Sequence, residues 1–382
     1  MPCLGTGLMK YNVYQHWDPL KVCIVGRSYT PEFYSYIKDT KIRSVMERIA
    51  IETEEDYQKL ITLLESFGVE ILRPHVHDDY EIYIGQNGKI APPPMTPRDY
   101  SIMSGNDFHF IMSDILVRWE DIAGASWGGR PEKYEDIPEW IIKECSELYG
   151  IDDYHWKKLA YSDNLSYISK HANIVDSKSR ANAAMVTRLG KDLYFGTYET
   201  EKLDIDKAQT QYSTRFPNHR CHMIDTQGHN DGTFCPVVPG LILSIETAVS
   251  YDHTFPGWEV IYLPNHELSS IRPFLNLKAR NRGKWWVPGE EFNDDFTNYV
   301  ERWLGHWVGY VEETVFDVNM LVIDRHNVVC NNYNKAVFDA FEKRGITPHI
   351  VNFRHRYFWD GGLHCITSDV HREGVMEDHF HI

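Results

Sequence analysis

Short apolar segments that end in a turn recur along the whole chain. A glycine follows several of them closely, and apolar runs bounded in this way are typical of buried strands. The segments that show the pattern are residues 20–25, 100–103, 192–195, 234–238, 241–244, 319–323 and 328–330. The pattern predicts a series of short strands, some of them paired as hairpins.

Helical patterns alternate with these strands. Residues 54–67 place apolar side chains three and four positions apart, from Tyr57 to Phe67, which predicts a helix with one buried face. We expect this helix to stop at Gly68 and to be followed by a strand at 69–72.

The same succession returns near the C-terminus. Residues 335–343 form a helical pattern that ends before Gly345, and a strand is predicted at 347–351. No Pro-, Gly- or Ser-rich linker is long enough to divide the chain. The repeated units therefore favour one α/β domain spanning residues 1–382, with residues 1–8 as an irregular leader.

Composition and charge argue against several classes of partner. Hydrophobic residues make up 42% of the 382 positions, which is ample for a large core, and the net charge is −16 at pH 7. Because nucleic acids and anionic membranes attract basic surfaces, neither is expected as a partner. No stretch of the sequence approaches the roughly 20 apolar residues of a membrane span.

The seven cysteines are scattered and never form a C-x-x-C pair. The first ten residues lack the basic and apolar regions of a secretory signal peptide. Free thiols in a reducing compartment are therefore expected, and the cytoplasm is the simplest location.

Histidines and cysteines cluster in two places where a metal site has to be considered. Cys221, His222, His229 and Cys235 fall within fifteen residues. Their spacing matches none of the paired-ligand patterns of structural zinc, so no metal is expected. The His-rich end of the chain, residues 377–381, is interpreted as a solvated tail.

Two motifs combine residues suited to covalent catalysis. The run GGLHC at 361–365 places Cys365 behind a glycine pair, where backbone can pass close to a ligand because no Cβ intrudes. The run GHNDGTF at 228–234 contributes His229 and Asp231. A cysteine with a distant histidine is a common pair for nucleophilic catalysis. A buried cysteine in a glycine turn is more often inert, so the case depends on both motifs.

These motifs resemble those of the arginine:glycine amidinotransferase family. The resemblance extends to FDVNMLVID at 316–324, PRD at 97–99 and WDPLKV at 17–22, and it is strongest after residue 220. It implies a single-domain α/β propeller with five-fold pseudo-symmetry, built of ββαβ units around a central axis. The broader superfamily includes arginine deiminases and dimethylarginine hydrolases.

The resemblance also implies a nucleophile and a general acid. Cys365 attacks a guanidino carbon as thiolate and forms an amidino-cysteine. His229 protonates the leaving amine and later deprotonates the acceptor. His364 is the competing candidate for this proton transfer. Neighbouring side chains of an extended segment point in opposite directions, so a supporting role is expected for it.

Substrate contacts are implied in the same way. A guanidinium is planar, permanently charged and rich in N–H donors, so carboxylates should surround it. By resemblance these are Asp99 and Asp231, and further substrate-binding positions are Asn319, Gly362 and His364. Neither a cofactor nor a metal is implied.

One departure from the family concerns the residue that orients the histidine. The family has an aspartate there, inside a segment resembling residues 181–190, and this chain has Asn182. An asparagine can fix the imidazole tautomer but cannot stabilise an imidazolium by charge. Three outcomes stay open: a retuned enzyme, substitution by a nearby acid such as Asp176, or reduced activity.

A second departure concerns the acceptor. The family's carboxylate-binding arginine has no counterpart at 244–249, where the residues are neutral or acidic. Glycine is therefore not assigned as acceptor, and a larger or already cationic amine is an alternative. Arg188 and Arg282 are candidate carboxylate clamps, each with a structural role as the simpler interpretation.

The predicted function is transfer of an amidino group from arginine to an amine in a ping-pong cycle that releases ornithine. One alternative is a hydrolase that delivers water to the same intermediate and makes citrulline. Another is a catalytically silent arginine-binding relative. The expected partners are small molecules, and because relatives often pair, a homodimer stays open.

Overall fold

Five three-stranded sheets, each with antiparallel and parallel neighbours, form the β-structure of the described residues. The computed structural model describes residues 10–84, 88–117, 119, 130–149, 153–177, 181–197, 205–226, 229–245, 250–263, 276, 285–306, 308 and 318–380. The strands are β1 Leu20–Val25, β2 Glu70–Leu72, β3 Ser101–Ser104, β4 Asp107–Phe110, β5 Asn173–Asp176, β6 Val186–Leu189, β7 Asp192–Thr197, β8 Arg220–Asp225, β9 Phe234–Val238, β10 Leu241–Ile245, β11 Glu259–Leu263, β12 Leu321–Asp324, β13 Asn327–Cys330, β14 Thr347–Ile350 and β15 Thr367–Arg372. The helices are α1 Thr40–Ser66, α2 Asp114–Val117, α3 Glu139–Tyr149, α4 Asp153–Ile168, α5 Ile205–Arg215, α6 Tyr251–Thr254, α7 Asp294–Trp303, α8 Lys335–Glu342 and α9 Arg356–Trp359.

All five sheets repeat one topology. A central strand pairs antiparallel with one neighbour and parallel with the other, and a helix lies in the connection to the parallel strand. The central strands are β1, β4, β7, β10 and β13. The last strand, β15, pairs with β1, so the two ends of the described chain share a sheet. The predicted α/β repeat is confirmed, whereas its arrangement about a central axis stays a prediction.

Helix α1 begins earlier than the apolar pattern predicts. It starts at Thr40 rather than at residue 54, because the Asp39 carboxylate accepts hydrogen bonds from two backbone N–H groups of the first turn. Its end lies where expected. Gly68 takes a φ of 74°, a conformation that other residues rarely adopt.

The C-terminal tail is docked rather than solvated, so that prediction is wrong. Asp378 accepts a hydrogen bond of 2.6 Å from Arg220. The His379 ring packs edge-on against Trp17 with 5.1 Å between centroids, and Phe380 is buried. These partners lie far away in sequence, and a local reading of the tail cannot find them.

Within the ranges given above, no helix is long and apolar enough to cross a membrane. In the same ranges, no group of three or more His, Cys, Asp or Glu side chains is arranged to hold a metal ion. The leader proposed for residues 1–8 lies outside the described residues.

Candidate active site

A sharp turn carries Cys365 into the candidate site. Asp360, which caps helix α9, adopts the left-handed region with a φ of 54°. Residues 363–366 then form a turn before β15 begins. A glycine is required at position 362, because a Cβ on Gly362 would lie 2.4 Å from Oδ1 of Asn319.

Asn319, just before β12, lies at the centre of this turn. Its side-chain oxygen accepts hydrogen bonds from the backbone N–H groups of His364 and Cys365 at 2.9 and 3.2 Å. Its amide nitrogen donates to the Cys365 sulfur at 3.0 Å and to the backbone oxygen of Asp231 at 3.2 Å. The side chain of Asn319 is buried, so these bonds are shielded from water.

Asp231 lies in a 3-10 turn, Asn230–Gly232, and contacts the side chains of His364 and Cys365. Its Oδ2 lies 2.8 Å from Nδ1 of His364 and 3.5 Å from the sulfur of Cys365. Its Oδ1 is buried and has no hydrogen-bond partner among the described residues. Burial raises the pKa of Asp231, but the hydrogen bond from His364 and the charge of His229 hold that pKa below its ordinary value. The carboxylate is therefore ionised near neutral pH.

His364 and Cys365 do not point in opposite directions, and the expectation that they do is wrong. Residues 363–366 form a turn rather than a strand, which brings both side chains to the same oxygen of Asp231. Burial, followed by the charge of Arg98, lowers the pKa of His364 to about 4. The imidazole is therefore neutral near pH 7, which suits a supporting role.

The thiol of Cys365 is protonated at rest. Burial and the carboxylates of Asp231 and Asp99 raise its pKa well above the ordinary value, while the hydrogen bond from Asn319 lowers it. A cation bound beside the two carboxylates would cancel their effect and favour the thiolate.

Asp99 closes the 3-10 turn Pro97–Asp99. Its Oδ1 is buried and, within the described part of the chain, lacks a hydrogen-bond partner. Burial raises the pKa of Asp99 to about 6, although the charge of His229 opposes this rise. Because His229 lowers the pKa of both Asp99 and Asp231, the three side chains share one electrostatic environment.

Asn182 and His229 lie on neighbouring segments. The side-chain oxygen of Asn182 accepts hydrogen bonds from the backbone N–H groups of Ala184 and Met185, both at 3.0 Å. The N–H of Asp231 donates to the backbone oxygen of Ala184 at 3.3 Å and ties this turn to the segment of His229. A hydrogen bond between Asn182 and the His229 ring stays a prediction.

A buried ion cluster lies behind the turn that carries Cys365, and the sequence prediction missed it. Asp369 of β15 is surrounded by three arginines, at nitrogen–oxygen distances of 3.2, 2.7 and 2.7 Å, namely Arg98, Arg188 and Arg372. Each is less than 2% exposed. Charged residues within apolar strand patterns were the available signal, because buried charges need partners. Arg188 is thus engaged with Asp369 and does not serve as a clamp for a substrate carboxylate.

Asp176 is exposed at the end of β5, and its charge acts on Arg215. Arg282, Gly228 and residues 246–249 lie outside the described residues.

The chain is similar in sequence and in structure to known amidinotransferases. No family profile matches the chain. Mitochondrial glycine amidinotransferase from Xenopus tropicalis is 23% identical, over 96% of this chain and 84% of its own length. L-arginine:L-lysine amidinotransferase from Pseudomonas savastanoi pv. phaseolicola is 22% identical, over 87% and 82%. The solved structure of SxtG, an amidinotransferase from Microseira wollei in saxitoxin biosynthesis, matches 97% of this chain and 99% of its own with a TM-score of 0.61 and 17% identity.

The sequence relatives indicate an enzyme of the amidinotransferase type, and the sheets and the matching solved structure agree on an α/β fold. Relatives bearing that activity in their names align along most of the sequence. Over most of its length the chain is thus similar to proteins named as amidinotransferases, in agreement with the motifs.

Proposed function

We propose that this enzyme transfers the amidino group of arginine to an amine acceptor through Cys365 and releases ornithine. The observation that carries the proposal is a pair of buried oxygens, one on Asp99 and one on Asp231, that have no hydrogen-bond partner within the described part of the chain. Both carboxylates act on the Cys365 thiol. Buried polar atoms are normally hydrogen-bonded. A guanidinium offers the N–H donors and the positive charge that these two acceptors lack.

Donor binding would also activate the nucleophile. The carboxylates of Asp231 and Asp99 raise the pKa of the Cys365 thiol, so neutralising them with a guanidinium lowers it again. The thiolate then forms where its target carbon lies, and water meets a protonated thiol when the site is empty.

The amidino group is transferred in two covalent steps, first to Cys365 and then to the acceptor. The thiol proton passes to His229, the sulfur of Cys365 bonds to the guanidino carbon, and the bond from that carbon to Nδ of arginine breaks. His229 returns the proton to the leaving amine, which departs as ornithine. The acceptor amine then gives a proton to His229 and bonds to the amidino carbon. The carbon–sulfur bond breaks, His229 returns its proton to the departing sulfur, and the resting thiol of Cys365 is restored.

The other predicted residues support this chemistry. Asn182 holds His229 in one tautomer, and His364 keeps Asp231 oriented by its 2.8 Å contact. Gly362 allows the nucleophile turn to pass close to the substrate. The acceptor is an amine. If the acceptor carries a carboxylate, residues other than the buried Arg188 must bind that carboxylate.

We also infer that the five sheets are arranged around a central axis within one domain. The pairing of β15 with β1 supports this closure, because it joins the last unit to the first. The repeated topology of the sheets supports the five-fold pseudo-symmetry.

Mass spectrometry of products tests the proposed function. The enzyme is incubated with arginine and with glycine, lysine, other amines or water alone, and Cys365→Ala serves as the control. Ornithine together with a new guanidino compound is expected, and the compound identifies the acceptor. Citrulline would instead indicate the hydrolase, and unchanged arginine with every amine would contradict the proposal.

A further inference from the structure

The amide of Asn319 has no capacity left for a ligand. An asparagine side chain offers two N–H donors and one oxygen with two lone pairs. The oxygen already accepts from the amides of His364 and Cys365, and the nitrogen already donates to the Cys365 sulfur and to the backbone of Asp231. All four positions are occupied within the protein.

We propose that Asn319 acts on the nucleophile rather than on the substrate, by donating a hydrogen bond to the Cys365 sulfur while it clamps the turn that carries this residue. This inference rests on the proposed function, in which Cys365 is the nucleophile. It replaces the substrate-binding role expected from the sequence.

The orientation of the Asn319 amide follows from its neighbours. Two backbone N–H groups, of His364 and Cys365, can only face an oxygen, and the backbone oxygen of Asp231 can only face an N–H group. The sulfur of Cys365 therefore faces a donor, without any assumption about the flip of the amide. A Cβ on Gly362 would lie 2.8 Å from Cβ of Asn319, so the turn is shaped around this side chain.

The hydrogen bond from Asn319 should make the Cys365 thiolate easier to form. A hydrogen bond to an ionised sulfur is stronger than one to a thiol, so the Asn319 N–H favours the thiolate. It acts against the carboxylates of Asp231 and Asp99, which disfavour the thiolate in the empty site. Once a guanidinium neutralises those carboxylates, the donor remains and stabilises the attacking form.

The test uses the substrate-free enzyme. Alkylation of Cys365 by iodoacetamide, a neutral reagent, is followed against pH and located by peptide mass spectrometry in wild type, Asn319→Asp and Asn319→Ser. The first variant replaces the donor by an acceptor, and the second shortens its reach. Asn327→Ala is the matched control, because this half-buried asparagine of β13 bonds to Asp324 and His349.

Both Asn319 variants should alkylate about tenfold more slowly at neutral pH, with the profile moved to higher pH, while the control keeps the wild-type profile. An unchanged profile in the folded Asn319 variants, with a raised KM for arginine and unchanged kcat, would overturn the proposal and assign Asn319 to the substrate. If Asn319→Asp does not fold, Asn319→Ser decides alone. Should neither fold, Gly362→Ala, which pushes Asn319 aside, must show the same slow alkylation or the proposal fails. A wild-type enzyme that forms no adduct with arginine refutes the proposed function instead and leaves the alkylation result standing.

Discussion

Nε of Arg98 donates a hydrogen bond of 2.6 Å to the backbone oxygen of His364, so the residue before Asp99 holds the residue before Cys365. The same nitrogen lies 2.8 Å from the backbone oxygen of Thr367 at the start of β15. One short 3-10 turn therefore supplies both a carboxylate to the site and a guanidinium that fixes the turn carrying Cys365. The position of the thiol relative to Asp99 is set by this bond.

The buried cluster around Asp369 should dominate the stability of the site. Asp369→Asn leaves the guanidinium groups of Arg98, Arg188 and Arg372 without a countercharge and should lower the free energy of unfolding by about 3–5 kcal/mol. Because these charges hold the pKa of Asp369 well below its ordinary value, the stabilisation is present above the ordinary pKa of an aspartate and is lost only in strong acid. Urea unfolding measures it. The exposed Asp339→Asn should change stability by less than about 0.5 kcal/mol, and equal effects of the two substitutions would contradict this assignment.

The charge of Asp99, unlike that of Asp369, should destabilise the folded protein. Burial raises its pKa to about 6, so the folded protein disfavours its charge, and the stability of the wild type falls as pH rises from about 4 to about 6. Asp99→Asn should therefore stabilise the substrate-free protein at neutral pH by up to about 3 kcal/mol. The gain should vanish below about pH 4. Thermal unfolding as a function of pH measures this, and a loss of stability at pH 7 would show that the Asp99 carboxylate is needed by the fold.

Arginine binding should depend on the same ionisation. Below pH 6 the Asp99 carboxyl is protonated and cannot pair with a guanidinium, so affinity should fall about tenfold per pH unit below that value and level off above it. Calorimetry with Cys365→Ser measures binding without turnover. In an added Asp99→Asn background, affinity should be low and independent of pH between 5 and 8. A flat profile in the presence of Asp99 would exclude this residue from donor binding.

Asn182→Asp should change the pH dependence of catalysis and leave the fold intact. A carboxylate oxygen can accept the same two hydrogen bonds, from the N–H groups of Ala184 and Met185. Its charge favours an imidazolium at His229, so the acidic limb of the kcat/KM profile should move to higher pH by about one unit. Asn334→Asp, at the N-terminus of α8, is the control, because asparagine and aspartate cap the N-terminus of a helix equally well. A profile identical to the wild type would separate Asn182 from His229.

Local signals in the sequence predict the elements well, and long-range contacts set the limits of that prediction. Strands β1 and β9 have the predicted bounds, because both are mainly apolar runs that end close to turn-forming residues. The start of α1 was missed since its first turn depends on the cap at Asp39 rather than on apolar spacing.

In the site, too, local motifs were predicted and long-range contacts were missed. The residues of the GGLHC and GHNDGTF motifs are brought together as expected, with Asp231 in contact with both His364 and Cys365. The hydrogen bonds of the Asn319 side chain and the ion pairs of Asp369 join segments that are far apart in the sequence. No periodicity or spacing encodes such contacts. The turn at residues 363–366, where an extended segment was expected, accounts for the wrong prediction of the direction of His364.

Passage of an amidino group through Cys365 is tested most directly by label transfer. The enzyme is mixed with arginine labelled at the guanidino carbon, quenched in acid before any acceptor is added, digested and examined by mass spectrometry. We expect label on the peptide of Cys365 in wild type and in Cys235→Ala, and none in Cys365→Ala. The label should pass to the amine when an acceptor is supplied. Conversion of arginine with no label on the protein, or with label on the peptide of Cys235, would contradict it.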